Sequence, residues 1–175
     1  DIVTSQFDCF VSVYEDTSSA LVKKLADNKF DLIITNSPVA HSETRPFIAH
    51  RIAHLPVVVY GDPRFVGLKK GFPQSLNGQP FIFPTHHGKT RQVIEDYFLA
   101  TSIHVKLLGE AQDGELLRRA ALNGKALVPL SPSTEITEVE RRELIAIGQL
   151  PQIFEDVWVI ATRRLVKHPV VSYLM

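Results

Sequence analysis

Cysteine is almost absent: Cys9 stands alone in 175 residues, which excludes an internal disulfide and any CxxC metal site and fits a reducing compartment. Net charge is absent as well, because nineteen Lys and Arg balance nineteen Asp and Glu. Chains that grip nucleic acid by its phosphates usually carry a basic excess, so these residues are not expected to hold DNA by themselves. Long apolar runs are missing too. The longest nearly uncharged one, around Leu55–Tyr60, falls far short of a membrane span. The motifs of covalent chemistry are lacking: no GxSxG elbow, no HExxH, no Cys beside an obvious base, and no paired acids. The expectation is a non-enzyme with no catalytic residues, no resident cofactor and no metal. The chain opens at Asp1 rather than Met, which reads as a piece of a longer protein.

What is present is an ordinary globular mixture, 45% hydrophobic and 22% charged, long enough for one domain or for two small lobes sharing a hinge. Phe7–Tyr14 is rich in Phe and Val and reads as a strand. Asp16-Thr17-Ser18-Ser19 offers helix-capping oxygens, and Leu21, Val22, Leu25 and Ala26 repeat at helical spacing before Asn28, a residue that tolerates the left-handed helix end. Phe30–Thr35 reads as a strand buried on both faces, which completes a βαβ unit with parallel strands. Ile48–His54 and Leu55–Tyr60 are extended, and Gly61-Asp62-Pro63-Arg64 is turn chemistry. The α/β rhythm then restarts: strand Phe81–Phe83, helix His87–Ala100, strand Ile103–Leu108, helix Gly114–Asn123, strand Ala126–Leu130. A helix start at Ser131–Glu135, a solvated charged run over Glu138–Glu143, strands Leu144–Ile147 and Phe154–Thr162, and a helix from Pro169 follow. This pattern predicts two α/β lobes, Asp1–Val59 with Ile160–Met175 and Tyr60–Val159, joined by two crossing strands.

The busiest segment is Pro84–Arg91. Its Gly88-Lys89-Thr90 imitates the end of a P-loop, but Phe83 stands where that loop requires Gly, so nucleotide binding is not expected. Two readings of the segment stay open: a helix N-terminus that favours an anion or polar ligand with His86, His87 and Lys89 beside it, or a plain capped helix start. The seven histidines do not make a metal site: His50 and His54 are four apart on a stretch that reads as extended, and His41, His104 and His168 are isolated. Small polar residues do recur at the carboxyl ends of predicted strands: Asp16, Thr17 and Ser18; Asn36 and Ser37; Thr85 and His86, with His87; and Ser131. Ligands of open α/β sheets sit beyond such ends, and two facing lobes can close on a small molecule.

Several segments resemble the effector-binding domain of LysR-type transcriptional regulators. Leu25–Ile34 looks like that family's LxxGxxDLxI segment with Asn28 in place of Gly, and Val57–Tyr60, Leu76–Ile82 and Val157–Arg164 follow in the family's order. Phe7–Asp16, Asp31–Pro38, Leu107–Glu110 and Val166–Val170 look closest to regulators of sodium/proton antiporter expression. The resemblance implies a two-lobed, periplasmic-binding-protein-like (type II) α/β fold with two crossing hinge strands. It implies a small molecule or ion bound between the lobes, a cytoplasmic homodimer or homotetramer, and DNA contact only through an N-terminal winged helix-turn-helix that this chain lacks. It also implies that the first strand and most of the first helix of lobe one are missing. An extracytoplasmic solute-binding protein of an uptake transporter is the alternative with the same fold. For the effector, resemblance points to sodium or pH. Among the strand-end residues, however, Asp16 is the single acid beside neutral oxygens and imidazoles, which favours a pH- or anion-sensitive contact at His86 and His87 over tight sodium binding.

Overall fold

The structure is a computed structural model that describes residues 7–39, 47–85, 89–132, 143–163 and 169–174. Residues 1–6, His41, His86, His87, the helix start at 133–135, the charged run at 138–142 and His168 lie outside the described residues. In chain order the elements are α1 (Ser18–Ala26), β1 (Leu32–Thr35), β2 (Phe47–Gly61), β3 (Pro80–Pro84), α2 (Lys89–Ala100), β4 (Lys106–Ala111), α3 (Gly114–Leu122), β5 (Val128–Leu130), β6 (Ile145–Thr162) and α4 (Pro169–Leu174). Short 3-10 turns at Pro63–Lys69 and Gln74–Leu76 lead from β2 to β3. The chain forms two compact units, Asp1–His54 with Asp156–Met175, and Leu55–Glu155.

In the first unit, Thr17 caps α1 and its hydroxyl accepts the Ala20 N–H. Asn28 ends the helix at φ 57, and the Lys29 N–H closes the cap on the Lys24 carbonyl at 2.9 Å. The α1 stripe packs Leu25 against Ile33, Phe47 and Ile160. Three expectations fail here. Residues 7–17 form neither strand nor helix, with Phe10 93% and Val13 88% exposed. A Phe- and Val-rich run becomes a strand only where a neighbour takes its backbone groups, and β1 pairs with β6 instead. That pairing is antiparallel, with Leu32 opposite Ala161 and Thr35 opposite Trp158, so the parallel βαβ unit is not formed. Nor is β1 buried on both faces: Ile33 and Thr35 are buried while Ile34 is 56% exposed. One helix covers one face, which is the usual condition of an antiparallel strand.

In the second unit, β3 and β4 pair in parallel, and Phe81 bridges Leu127 in parallel on the other side of β3. β5 then pairs antiparallel with β2, Val58 opposite Leu130. Side chains alternate across this sheet. Phe81, Phe83, Val57 and Val59 pack with Ile94 and Phe98 of α2, whereas Ile82, Val58 and Tyr60 pack with Leu117 and Ala121 of α3. The helices therefore cover opposite faces. At roughly 1.5–3 kcal/mol for each fully buried large apolar side chain, these two layers supply most of the unit's stability.

Two boundaries shift. The strand expected at Ile103–Leu108 begins at Lys106, because Ile103 finishes the helix: its N–H bonds the Phe98 carbonyl at 2.8 Å and its side chain enters the core. The two late strands are one, β6, despite Pro151 and a left-handed Gln152 at φ 59, features that read as a break.

Candidate functional site

The connection from β3 runs along one face of the sheet and that from β4 along the other, since α2 and α3 lie on opposite faces. Adjacent parallel strands whose helices depart to opposite faces leave a crevice beyond their carboxyl ends, the preferred ligand position of open α/β sheets. Here those ends are Pro84 and Ala111, which are partners in register. Thr85 follows Pro84. On the other side of β3, the Phe81–Leu127 bridge places Thr85 and Ser131 level, each four residues further along. The Ser131 hydroxyl is buried and has no hydrogen-bond partner among the described residues.

Beneath Pro84 lies Arg91, in the first turn of α2 and 2% exposed. Its guanidinium stacks on Phe83, 4.2 Å from the ring centroid. Nη1 donates to the Pro84 carbonyl at 3.1 Å. Nη2 is 2.6 Å from Glu95 Oε1, one turn along the helix, and 3.4 Å from Glu110 Oε1 on β4. The Nε–H is buried with no partner among the described residues. Phe83 and Glu110 are register partners, so both lie on the face that α2 covers, which is how a strand carboxylate reaches a helix guanidinium.

In the first unit the strand-end groups are engaged locally. Asp16 Oδ2 is 2.8 Å from Lys24 Nζ and Oδ1 accepts the Thr17 N–H at 2.8 Å. The Lys24 hydrogen bond above all, with that N–H, holds the Asp16 carboxyl below the usual range. Thr17 is the cap of α1 and Ser18 its first residue. Thr35 donates to the Ser37 carbonyl at 2.7 Å, and Asn36 is exposed. Opposite Thr35, the Trp158 indole N–H is buried without a partner among the described residues. On β2 and β6, His54 Nδ1 lies 2.7 Å from Asp156 Oδ1 and Arg51 Nη1 3.4 Å from the same oxygen.

The comparisons with known proteins agree with this architecture. Residues 7–174 match the LysR substrate binding domain. The chain belongs to that family. It is 21% identical over 161 residues to the transcriptional activator protein NhaR of Escherichia coli (strain K12), covering 91% of this chain and 52% of the relative, so it spans about half the length of that relative. Among solved structures, the apo regulatory domain of HypT from Salmonella typhimurium superposes with TM-score 0.74 at 14% identity, covering 98% of this chain and 83% of that one. The effector binding domain of QuiR in complex with shikimate superposes with TM-score 0.59 at 11% identity, covering 93% and 77%. The fold is thus the two-lobed, periplasmic-binding-protein-like α/β fold of LysR regulatory domains.

In this LysR-family domain the structure brings Thr85 and Ser131 level in one unit. In the other, no hydrogen bond among the described residues joins Asp16, Thr17 or Ser18 to Asn36 or Ser37. The group that sequence reading passed over is Arg91. A signal existed: Arg91, Ile94 and Phe98 stand at i, i+3 and i+7, so the buried stripe of α2, carried back one turn, lands on a charged residue. A charge there must be paired, and Glu95 sits four residues on. Among the described residues no cluster of three or more His, Cys, Asp or Glu could hold a metal, and no helix is long and apolar enough to cross a membrane.

Proposed function

We propose that this chain is the effector-sensing part of a cytoplasmic, non-enzymatic transcriptional activator that controls sodium/proton antiporter expression. The reading rests on one observation above the others: the family match runs through residues 7–174, and the NhaR likeness runs over 91% of the chain. The parent acts as a homo-oligomer and touches DNA through an N-terminal segment outside this chain. A small molecule or ion is bound by strand-end groups of the second unit, Thr85 and Ser131. Asp16 serves the α1 start, because Lys24 already occupies its carboxylate. Binding signals by favouring one conformation over another, which requires different affinity for the two.

An anion suits the site better than sodium. The strand ends of the second unit offer hydroxyls, with the buried guanidinium of Arg91 in the next helix, and shikimate, the ligand in the QuiR complex, carries a carboxylate. Reading the coding region upstream of Asp1 tests the main claim. A helix-turn-helix of ~60 residues there supports it, and a secretion signal in its place assigns the chain to solute uptake instead. Deleting the parent gene is then expected to lower antiporter transcript levels, and unchanged transcript refutes the antiporter target.

A further inference from the structure

Pro84 ends β3 and Thr85 follows it, so the torsions of Pro84 decide where Thr85 stands at the crevice. The pyrrolidine ring locks one of them, φ, at about −65°. The other, ψ, turns the Pro84 carbonyl, and the planar peptide bond ties that oxygen to the Thr85 nitrogen and Cα. Whatever holds the Pro84 oxygen therefore holds Thr85. Arg91 holds it: Nη1 donates to that carbonyl at 3.1 Å from the first turn of α2.

The donor is itself fixed. Its guanidinium lies 4.2 Å from the Phe83 ring centroid, and its Nη2 is 2.6 Å from Glu95 Oε1 and 3.4 Å from Glu110 Oε1. Those contacts come from β3, α2 and β4, around a side chain that is 2% exposed. The planar fork gives each N–H one direction, whereas a lysine ammonium would supply the charge without it. Replacing a buried ion pair by apolar side chains of similar volume is often neutral or stabilising, so stability is a poor account of this charge. Direction is a better one.

We infer that Arg91 is a positioning residue: it fixes ψ of Pro84 and so presents Thr85 to the crevice in one orientation. This rests on the effector-sensing reading and deepens it, by naming the residue that sets the geometry of the Thr85 contact. A Thr85 held in place before binding gives up little backbone freedom when an effector arrives. Arg91 thereby governs affinity and selectivity without touching the effector.

Nitrogen-15 relaxation of the whole chain, beside urea unfolding, tests the inference. In Arg91→Met the Thr85 amide order parameter is expected to fall from about 0.85, the value of rigid backbone, to below about 0.6. Phe81 in β3 and Ile94 in α2 are expected to keep their order, and the urea midpoint to stay close to wild type. Arg91→Lys is expected to keep part of the Thr85 order, because an ammonium is still a donor but lacks the fork. A rigid Thr85 in Arg91→Met overturns the inference. So does order lost equally at Phe81 and Ile94, which marks a failure of packing instead.

A reporter of antiporter transcription, driven by the parent protein and challenged with sodium chloride, separates this from the effector-sensing reading. Thr85→Val and Arg91→Met are each expected to weaken the response about tenfold, the scale of one hydrogen bond. The double variant is expected to be no weaker than either, since both changes remove the same contact. Additive losses overturn the inference. Unchanged responses beside a disordered Thr85 refute the effector role of Thr85 and leave the positioning by Arg91 standing.

Discussion

Arg91→Met separates stability from function in the second unit. The native side chain has given up its hydration at 2% exposure, and its Nε–H finds no partner among the described residues. An unpartnered buried donor costs about 1–3 kcal/mol, and desolvating the ion costs several more before pairing offsets it. Methionine keeps a long unbranched stem over the Phe83 ring and adds a sulfur–aromatic contact of about 0.3–1.5 kcal/mol. What it loses is the bond to the Pro84 carbonyl, about 1.5 kcal/mol for a charged donor, the cationic stacking on Phe83, about 1–2 kcal/mol, and ion pairs whose acids are 43% and 29% exposed, to be discounted toward the ~0–1 kcal/mol of surface pairs. The two sides nearly cancel. Arg91→Met is expected to unfold within about 1 kcal/mol of wild type in urea at neutral pH, followed by far-UV circular dichroism.

The opposite perturbation behaves differently. Glu95→Gln with Glu110→Gln strands a buried cation among neutral groups, and breaking a buried pair from one side costs about 3–5 kcal/mol. Glutamines and the Pro84 carbonyl still accept hydrogen bonds, so the lower end of that range is expected. The order of the two variants is what the reasoning stakes. If Arg91→Met loses more than about 3 kcal/mol while the double glutamine variant loses less than about 1, the guanidinium is a stabilising brace and the desolvation reasoning is wrong.

Gly148 lies on β6, where an added Cβ would stand 2.7 Å from two atoms of the Phe72 ring. Gly148→Ala is expected to destabilise by about 1–3 kcal/mol, read as a lower urea midpoint, and an unchanged midpoint would mean the ring moves aside freely. Leu25→Ala empties the α1–β1 core of the first unit and is expected to cost about 2–5 kcal/mol, visible in the emission of Trp158, the sole tryptophan, which packs against that core. Asp156 is held below the usual carboxylate range, first by its His54 hydrogen bond and then by Arg51. A depressed folded-state value adds stability above the ordinary carboxylate pKa of about 3.9, and that stability fades as pH falls through the folded value. Asp156→Asn is therefore expected to melt lower than wild type at pH ~7 and to converge with it below pH ~4, and a gap that widens in acid refutes the sign.

Local signals carried the second unit well. Strand Phe81–Phe83 and the helices read at His87–Ala100 and Gly114–Asn123 were legible because each is a short element closed by neighbours near in sequence. Asp113 accepts the Glu115 N–H at 2.8 Å, and Gly124 follows the helix at φ 67, as turn chemistry predicts. The first unit was less legible because its sheet is non-local. β1 finds its partner about 125 residues away, on β6, and nothing in Leu32–Thr35 states whether that partner runs parallel or antiparallel. The same blindness made residues 7–14 look like a strand: composition reports what a segment can pack, and only a partner decides whether it pairs.

The site was half legible for a related reason. Thr85 and Ser131 follow from one rule, polar residues just beyond strands, applied strand by strand. Their being level does not, because it depends on the Phe81–Leu127 bridge, a contact between segments 46 residues apart. Arg91 needed two rules at once. Its place on the buried stripe of α2 marks it as a paired charge, and Glu95 supplies a sufficient partner within the helix, so a reader of the helix alone stops there. Glu110 becomes a second partner through the β3–β4 pairing, which seats it opposite Phe83 under the same helix. The second carboxylate is therefore a property of the fold and not of any segment, visible only once β3 and β4 are paired.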